Sequence, residues 1–145
     1  MTGAGGAGRS RQLPFFVYGT LRPGEHNHDL FLRGRTSAEE TARLPGAVLY
    51  EGPGYPYAVE GEGTVIGEVV TAGPGRYREL IAVLDHLEEY FGPGDPRNLY
   101  VRVARDVHTA KGAVAAWVYV AAEAKAAELR ARGTVIAGGD WSAVG

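Results

Sequence analysis

The sequence predicts an α+β fold, and three observations carry that prediction. Apolar runs of strand character recur along the chain, each cut off by Gly/Pro punctuation. Only two stretches read as convincing helices. Strands and helices do not alternate one for one, as a doubly wound sheet would require. The 145 residues are most simply one domain, residues 13–145, preceded by a Gly/Ala-rich tail over Met1–Gln12 that is expected to be disordered.

The elements follow in order. Leu13 to Tyr18 reads as a strand that stops abruptly at Gly19, and Pro23-Gly24 marks a second turn. Asn27 to Leu32 starts a short helix with Asn27 as its cap. Leu44 to Tyr50 is a strand, closed by Gly52-Pro53-Gly54 ahead of Tyr55-Pro56-Tyr57. Thr64 to Thr71 is another, ended by Gly73-Pro74-Gly75. Arg76 to Phe91 is the clearest helix. Leu99 to Val107 and Ala113 to Ala121 alternate as strands joined by a hairpin around Lys111-Gly112. Ala122 to Arg132 is Ala-rich and helical, with Gly133 as its stop.

Composition excludes several kinds of chemistry. A formal net charge of -2 with both signs interspersed offers no electrostatic footprint for nucleic acid or an anionic membrane. No apolar run reaches the roughly 20 residues of a membrane span, and the N-terminus lacks the apolar core of a secretion signal. A cytoplasmic location is therefore expected. With no cysteine there is no disulfide, thiolate metal site or cysteine nucleophile. The serines are Ser10, Ser37 and Ser142, none in a Gly-x-Ser-x-Gly elbow. A hydrolase or transferase built from this chain is expected to avoid serine or cysteine adducts.

Two features carry candidate chemistry. In Phe15-Phe16-Val17-Tyr18-Gly19-Thr20-Leu21-Arg22 a strand opens into a tight loop. Exposed backbone N–H groups in such a loop bind carboxylates or oxyanions without a charged side chain. The second feature is Glu88. On a wheel at about 100° per residue, Tyr77, Leu80, Ile81, Leu84, Leu87 and Phe91 form one stripe. Glu88 lies about 50° from its centre; Glu89 and His86 lie about 150° away, towards solvent. A carboxylate aimed into a core is costly unless it is paired, neutralised or facing a cavity. Either Glu88 satisfies a structural partner such as Arg102, or it is a pocket carboxylate of raised pKa suited to proton transfer near neutrality.

Other groups carry weaker readings. His26, His28 and Asp29 could suggest a metal, although such residues beside a Pro-Gly turn are usually surface groups; no cofactor is expected. Thr20 lacks an evident base to act as a nucleophile. Asp85 with Glu88 resembles a glycosidase pair in spacing only. Arg22 is read either as a contact for a substrate carboxylate or as a surface residue. Tyr100 and Arg102 share one strand face, as do Trp117 and Tyr119, and that face either fills a core or lines a pocket.

Three motifs in order resemble the γ-glutamyl cyclotransferase-like superfamily. Val17-Tyr18-Gly19-Thr20-Leu21-Arg22 is similar to its Tyr-Gly-Thr/Ser-Leu signature, and Leu84-Asp85-His86-Leu87-Glu88 to its Leu-Asp-x-x-Glu helix. Leu99-Tyr100-Val101-Arg102 follows as the next strand. The Gly61-Glu62-Gly63…Gly67-Glu68-Val69 stretch, Ala116-Trp117-Val118-Tyr119-Val120 and Gly139-Asp140-Trp141 also fit. The resemblance implies a small mixed β-barrel flanked by helices, and an enzyme that cleaves γ-glutamyl amides by cyclisation to 5-oxoproline and a free amine. It implies Glu88 as the catalytic acid/base, Tyr18, Gly19, Thr20 and Leu21 as a substrate-binding loop, and Tyr100 and Tyr119 as pocket tyrosines. The γ-glutamylamine and aminoglycoside-deprotecting branches are the nearest in character. The chain departs from the family pattern at Glu89, where glycine is usual, and in the long Gly92–Asn98 connection. The partner implied is a small γ-glutamyl molecule; oligomeric state is left open. The alternative is a non-catalytic pocket protein that binds a small acid or amine.

Overall fold

In the computed structural model, residues 12–22, 24–25, 27–53 and 55–141 are described. The expected disordered tail therefore falls, apart from Gln12, outside the described residues. Five strands close into a barrel: β1 (Phe15–Val17), β2 (Thr36–Tyr50), β3 (Tyr57–Ala72), β4 (Tyr100–Thr109) and β5 (Gly112–Ala121). Their order around the barrel is β1-β3-β2-β4-β5. β1 pairs antiparallel with β3, Phe16 opposite Val69, and parallel with β5, Phe16 opposite Val118. All other pairings are antiparallel, and β4–β5 is the hairpin expected at Lys111-Gly112. This is the α+β architecture and the mixed barrel that the sequence and its resemblance predict.

The alternation of β1 divides its side chains between two cores. Phe16 joins Leu44, Val65, Val69, Val107 and Val118, a cluster drawn from all five strands that fills the barrel. Phe15 and Val17 face the other way and pack with Leu80, Leu84, Tyr100 and Tyr119 between barrel wall and helix. A strand of three residues, each at most 5% exposed, therefore serves both layers. Two α-helices lie outside the barrel, α1 (Tyr77–Leu87) and α2 (Glu123–Arg132), with a single π-helical turn at His28–Leu32. Leu80 and Leu84 bury the inner stripe of α1 completely.

Three boundaries differ from expectation for physical reasons. β2 begins at Thr36, eight residues before the Leu44 that opens the predicted strand, because Thr36–Arg43 is mostly polar and exposed yet ladders against β3. β3 begins at Tyr57 and runs through Gly61-Glu62-Gly63, where Pro45 pairs Thr64 and Ala47 pairs Glu60, leaving the glycine stretch as a bulge. α1 ends at Leu87 rather than Phe91, which lies beyond it and is 47% exposed. The Tyr90 N–H bonds the Asp85 carbonyl (2.8 Å) and the Glu89 N–H bonds the His86 carbonyl (3.1 Å). That pair of bonds is a Schellman stop, and it puts Glu89 in the left-handed region at φ +53°. A non-glycine residue there escapes a search for glycine stops.

Candidate active site

The end of β1 builds one wall. After Val17 the chain turns sharply: the Arg22 N–H reaches back to the Gly19 carbonyl at 3.1 Å. Asn27 clamps the turn from outside, donating its backbone N–H to the Thr20 carbonyl (3.1 Å) and its side-chain amide to Thr20 Oγ1 (2.8 Å). Asn27 is thus a loop clamp and makes no side-chain cap bond to the turn that follows. The clamps occupy carbonyls and a hydroxyl; among the described residues, none takes the N–H groups of Gly19, Thr20 or Leu21. Gly19 has no room for a side chain, since a Cβ would sit 2.8 Å from Pro56 Cδ.

Glu88 closes the cleft from the opposite side. It caps α1 with near-helical dihedrals (φ -84°, ψ 1°), so its side chain keeps the direction that the helical wheel assigns to it. A cleft of about 40 Å³ is lined by Tyr18, Gly19, Thr20, Leu21, Glu88, Tyr100 and Tyr119, together with Tyr55, Pro56 and the end of β1. The seven residues that the family resemblance implies for the site, Tyr18, Gly19, Thr20, Leu21, Glu88, Tyr100 and Tyr119, all line this one cleft. The carboxyl of Glu88 is half-buried, and among the described residues none hydrogen-bonds or ion-pairs with it. Burial raises its pKa from 4.5 to about 7. The candidate structural partner, Arg102, is committed elsewhere: its guanidinium binds Asp85 at 2.9 Å and 3.3 Å.

The tyrosines hold the walls. The Tyr18 hydroxyl donates to the Tyr119 carbonyl (2.5 Å) and accepts the Ala58 N–H (3.2 Å), tying the loop to β5 and β3. The Tyr119 hydroxyl donates to Asp85 Oδ1 (2.5 Å), and Tyr100 donates to the Pro56 carbonyl (2.7 Å) while its ring stacks on Tyr57 at 4.6 Å. Burial pushes all three phenols upward, so they remain neutral donors at physiological pH. Glu88 is then the cleft group poised to exchange a proton near neutrality.

Arg22, read as a substrate contact or a surface residue, is buried and does not line the cleft. Its guanidinium lies behind the loop, holding Glu68 of β3 at 2.9 Å and 3.1 Å and Asp140 at 2.6 Å. Burial alone would lower its pKa, but the bonds to these two carboxylates outweigh that and raise it. Asp85 likewise orients Tyr119 and Arg102 and does not pair with Glu88. His26 and the side chain of Asp29 lie outside the described residues; His28 itself contacts Glu39 at 2.5 Å. Among the described residues, no group of three or more His, Cys, Asp or Glu is placed to hold a metal.

A family model described as "Gamma-glutamyl cyclotransferase, AIG2-like" matches residues 15–143. The chain belongs to this family. The cyclotransferase is 38% identical over 113 residues to the γ-L-glutamyl-butirosin B γ-glutamyl cyclotransferase of Niallia circulans, covering 78% of this chain and 69% of the relative. It is 33% identical over 127 residues to a putative γ-glutamylcyclotransferase of Vibrio cholerae, covering 87% and 92%. Among solved structures, an uncharacterised protein of Pyrococcus horikoshii superposes with a TM-score of 0.62 at 27% identity, over 91% of this chain and 92% of that one. An AIG2-like protein of Mus musculus shares the fold of the cyclotransferase, with a TM-score of 0.57 at 23% identity over 76% and 77%.

Sequence reasoning named Asn27, Asp85 and Arg22 but missed the contacts that each makes beside the cleft. Each acts through a partner distant in the chain or through a turn with no strong signature. Only the Asn27-to-Thr20 spacing could have been guessed as a local clamp. Among the described residues, no helix is long and apolar enough to cross a membrane.

Proposed function

We propose that the enzyme cleaves γ-glutamyl amides of amines by intramolecular cyclisation, releasing 5-oxoproline and the free amine, with Glu88 moving the protons. The supporting observation is the unpartnered Glu88 carboxyl, raised to about 7, facing a loop of unclaimed N–H groups. Such a substrate carries its own nucleophile, the α-amine, which fits a cleft without serine or cysteine. The protein need only hold the folded conformer, an effect worth about 7–11 kcal/mol in well-oriented systems.

The steps balance on one carboxylate. Ionised Glu88 takes a proton from the α-ammonium, and the freed amine attacks the γ-carbonyl carbon. The oxyanion that forms is held by the N–H groups of Gly19, Thr20 and Leu21, each such donor worth about 3–4 kcal/mol. Protonated Glu88 then delivers that proton to the leaving nitrogen as the C–N bond breaks, the demanding transfer because an amide anion is a very poor leaving group. Collapse of the oxyanion to the carbonyl leaves a second proton on the ring nitrogen; Glu88, ionised again, removes it and passes it to the departing amine. A group with its pKa near 7 takes and returns a proton with little loss either way.

The test is 5-oxoproline release from γ-glutamyl dipeptides, ε-lysine conjugates, alkylamines and aminoglycoside conjugates, with Glu88→Gln alongside. Release that vanishes in Glu88→Gln is expected, with an acid limb near pH 7 for the wild type. Turnover by Glu88→Gln at the wild-type rate would sink the assignment.

A further inference from the structure

Outside the cleft, a second cavity of about 160 Å³ opens between the loop and the end of α1. It shares Thr20, Tyr55, Glu88 and Tyr100 with the inner cleft, so the two adjoin across these side chains. If the reaction is the one proposed above, a glutamyl group in the inner cleft sends its amide substituent outwards past Glu88 into this vestibule. The walls there therefore read the amine half of the substrate.

Those walls have a distinct chemistry. Leu87 and Leu99 supply an apolar side, with Leu99 42% exposed. The charged residues lining the vestibule are Glu88 and Glu89, with no lysine or arginine among the described ones. Glu89 has no cation partner among the described residues. Arg97 and Arg102, on the segments that follow α1, are already bound to Asp95 and Asp85. Glu89 is also held at a backbone conformation that disfavours it, φ +53°, by the two bonds of the helix stop. Glycine would fit that geometry without strain. A carboxylate retained there, unpaired and facing the substituent's path, is positioned for a ligand.

We infer that Glu89 is a specificity residue for the leaving group, selecting γ-glutamyl conjugates whose amine carries a second positive charge a few methylenes from the amide, with Leu87 and Leu99 covering the methylenes. The inference rests on the proposed reaction, and the test separates the two.

The probes are the γ-glutamyl conjugates of 1,4-diaminobutane and of n-pentylamine, which match in length and differ in terminal charge. Wild-type kcat/KM is expected to favour the diamine conjugate roughly two- to fivefold at low salt, as for an exposed ion pair. Added salt should shrink that ratio. Glu89→Gln should bring it to about unity, and Glu89→Lys should invert it. A wild-type ratio of one, or a ratio unchanged in Glu89→Gln, overturns the inference while leaving the reaction standing. Absence of 5-oxoproline from both conjugates with folded wild-type protein overturns the reaction and this inference with it.

Discussion

Replacing Glu88 by glutamine should make the protein more stable above neutral pH while removing its turnover. The carboxyl has a pKa of about 7 in the folded protein against 4.5 for an ordinary glutamate, and burial is the cause. Below pH 4.5 the group is protonated in both folded and unfolded chains, and burial of the neutral acid costs the same as burial of an amide. Between 4.5 and about 7 the unfolded chain releases a proton that the folded protein keeps, so wild-type stability falls as pH rises. Above 7 both forms are ionised and the full penalty stands. The shift corresponds to about 3 kcal/mol as a ceiling, and about 2 kcal/mol once solvent at the cleft mouth screens the charge. Glutamine has no charge to bury. Its melting temperature should match wild type near pH 4 and exceed it by roughly 5–8 °C at pH 8. Thermal melts of both proteins across that range, with 5-oxoproline assays on the same samples, measure this directly. A glutamine variant less stable than wild type at pH 8 would refute the reasoning, since it would mean the ionised carboxylate has a partner that stabilises it.

Three further outcomes are expected. Arg22→Ala removes the cation from the buried Glu68, and from the half-exposed Asp140, and should cost about 3 kcal/mol in urea denaturation, chiefly through Glu68. Tyr18→Phe keeps the ring but strands the Ala58 N–H and the Tyr119 carbonyl; a loss of about 1–3 kcal/mol is expected, with 5-oxoproline release reduced because the loop is no longer tied down. Gly19→Ala drives a methyl into Pro56, so kcat/KM should fall at least tenfold as the loop shifts away from the cleft, with circular dichroism showing the barrel intact.

What could be read from the chain depended on the range of the forces involved. β1, β5 and both helices declared themselves through local periodicity and punctuation, and Glu88 did so because a single helical turn fixes its direction. The first half of β2 did not, because Thr36–Arg43 gains its strand conformation from pairing with β3 rather than from its own side chains. The stop of α1 was hidden by a glutamate doing what glycine usually does. The role of Arg22 was invisible, since its partners lie 46 and 118 residues away and no local pattern marks them. Tyr119 showed its strand face in the sequence, but not that Asp85 would hold its hydroxyl.

The clasp between Arg22 and Asp140 also bears on how this enzyme comes into being. The loop after β1 is synthesised well before one of its electrostatic anchors, which arrives 118 residues later. β1 itself waits for Trp117, whose N–H closes on the Pro14 carbonyl at 2.8 Å. Until both have emerged, the loop has β3 and Glu68 but lacks the β5 neighbour of its strand and the second carboxylate of its clasp. Such long-range closure slows folding, because chain entropy is lost before these contacts form. A nascent chain that has already made Glu88 therefore still lacks a finished wall opposite it; the loop after β1 is completed only once β5 and Asp140 reach it.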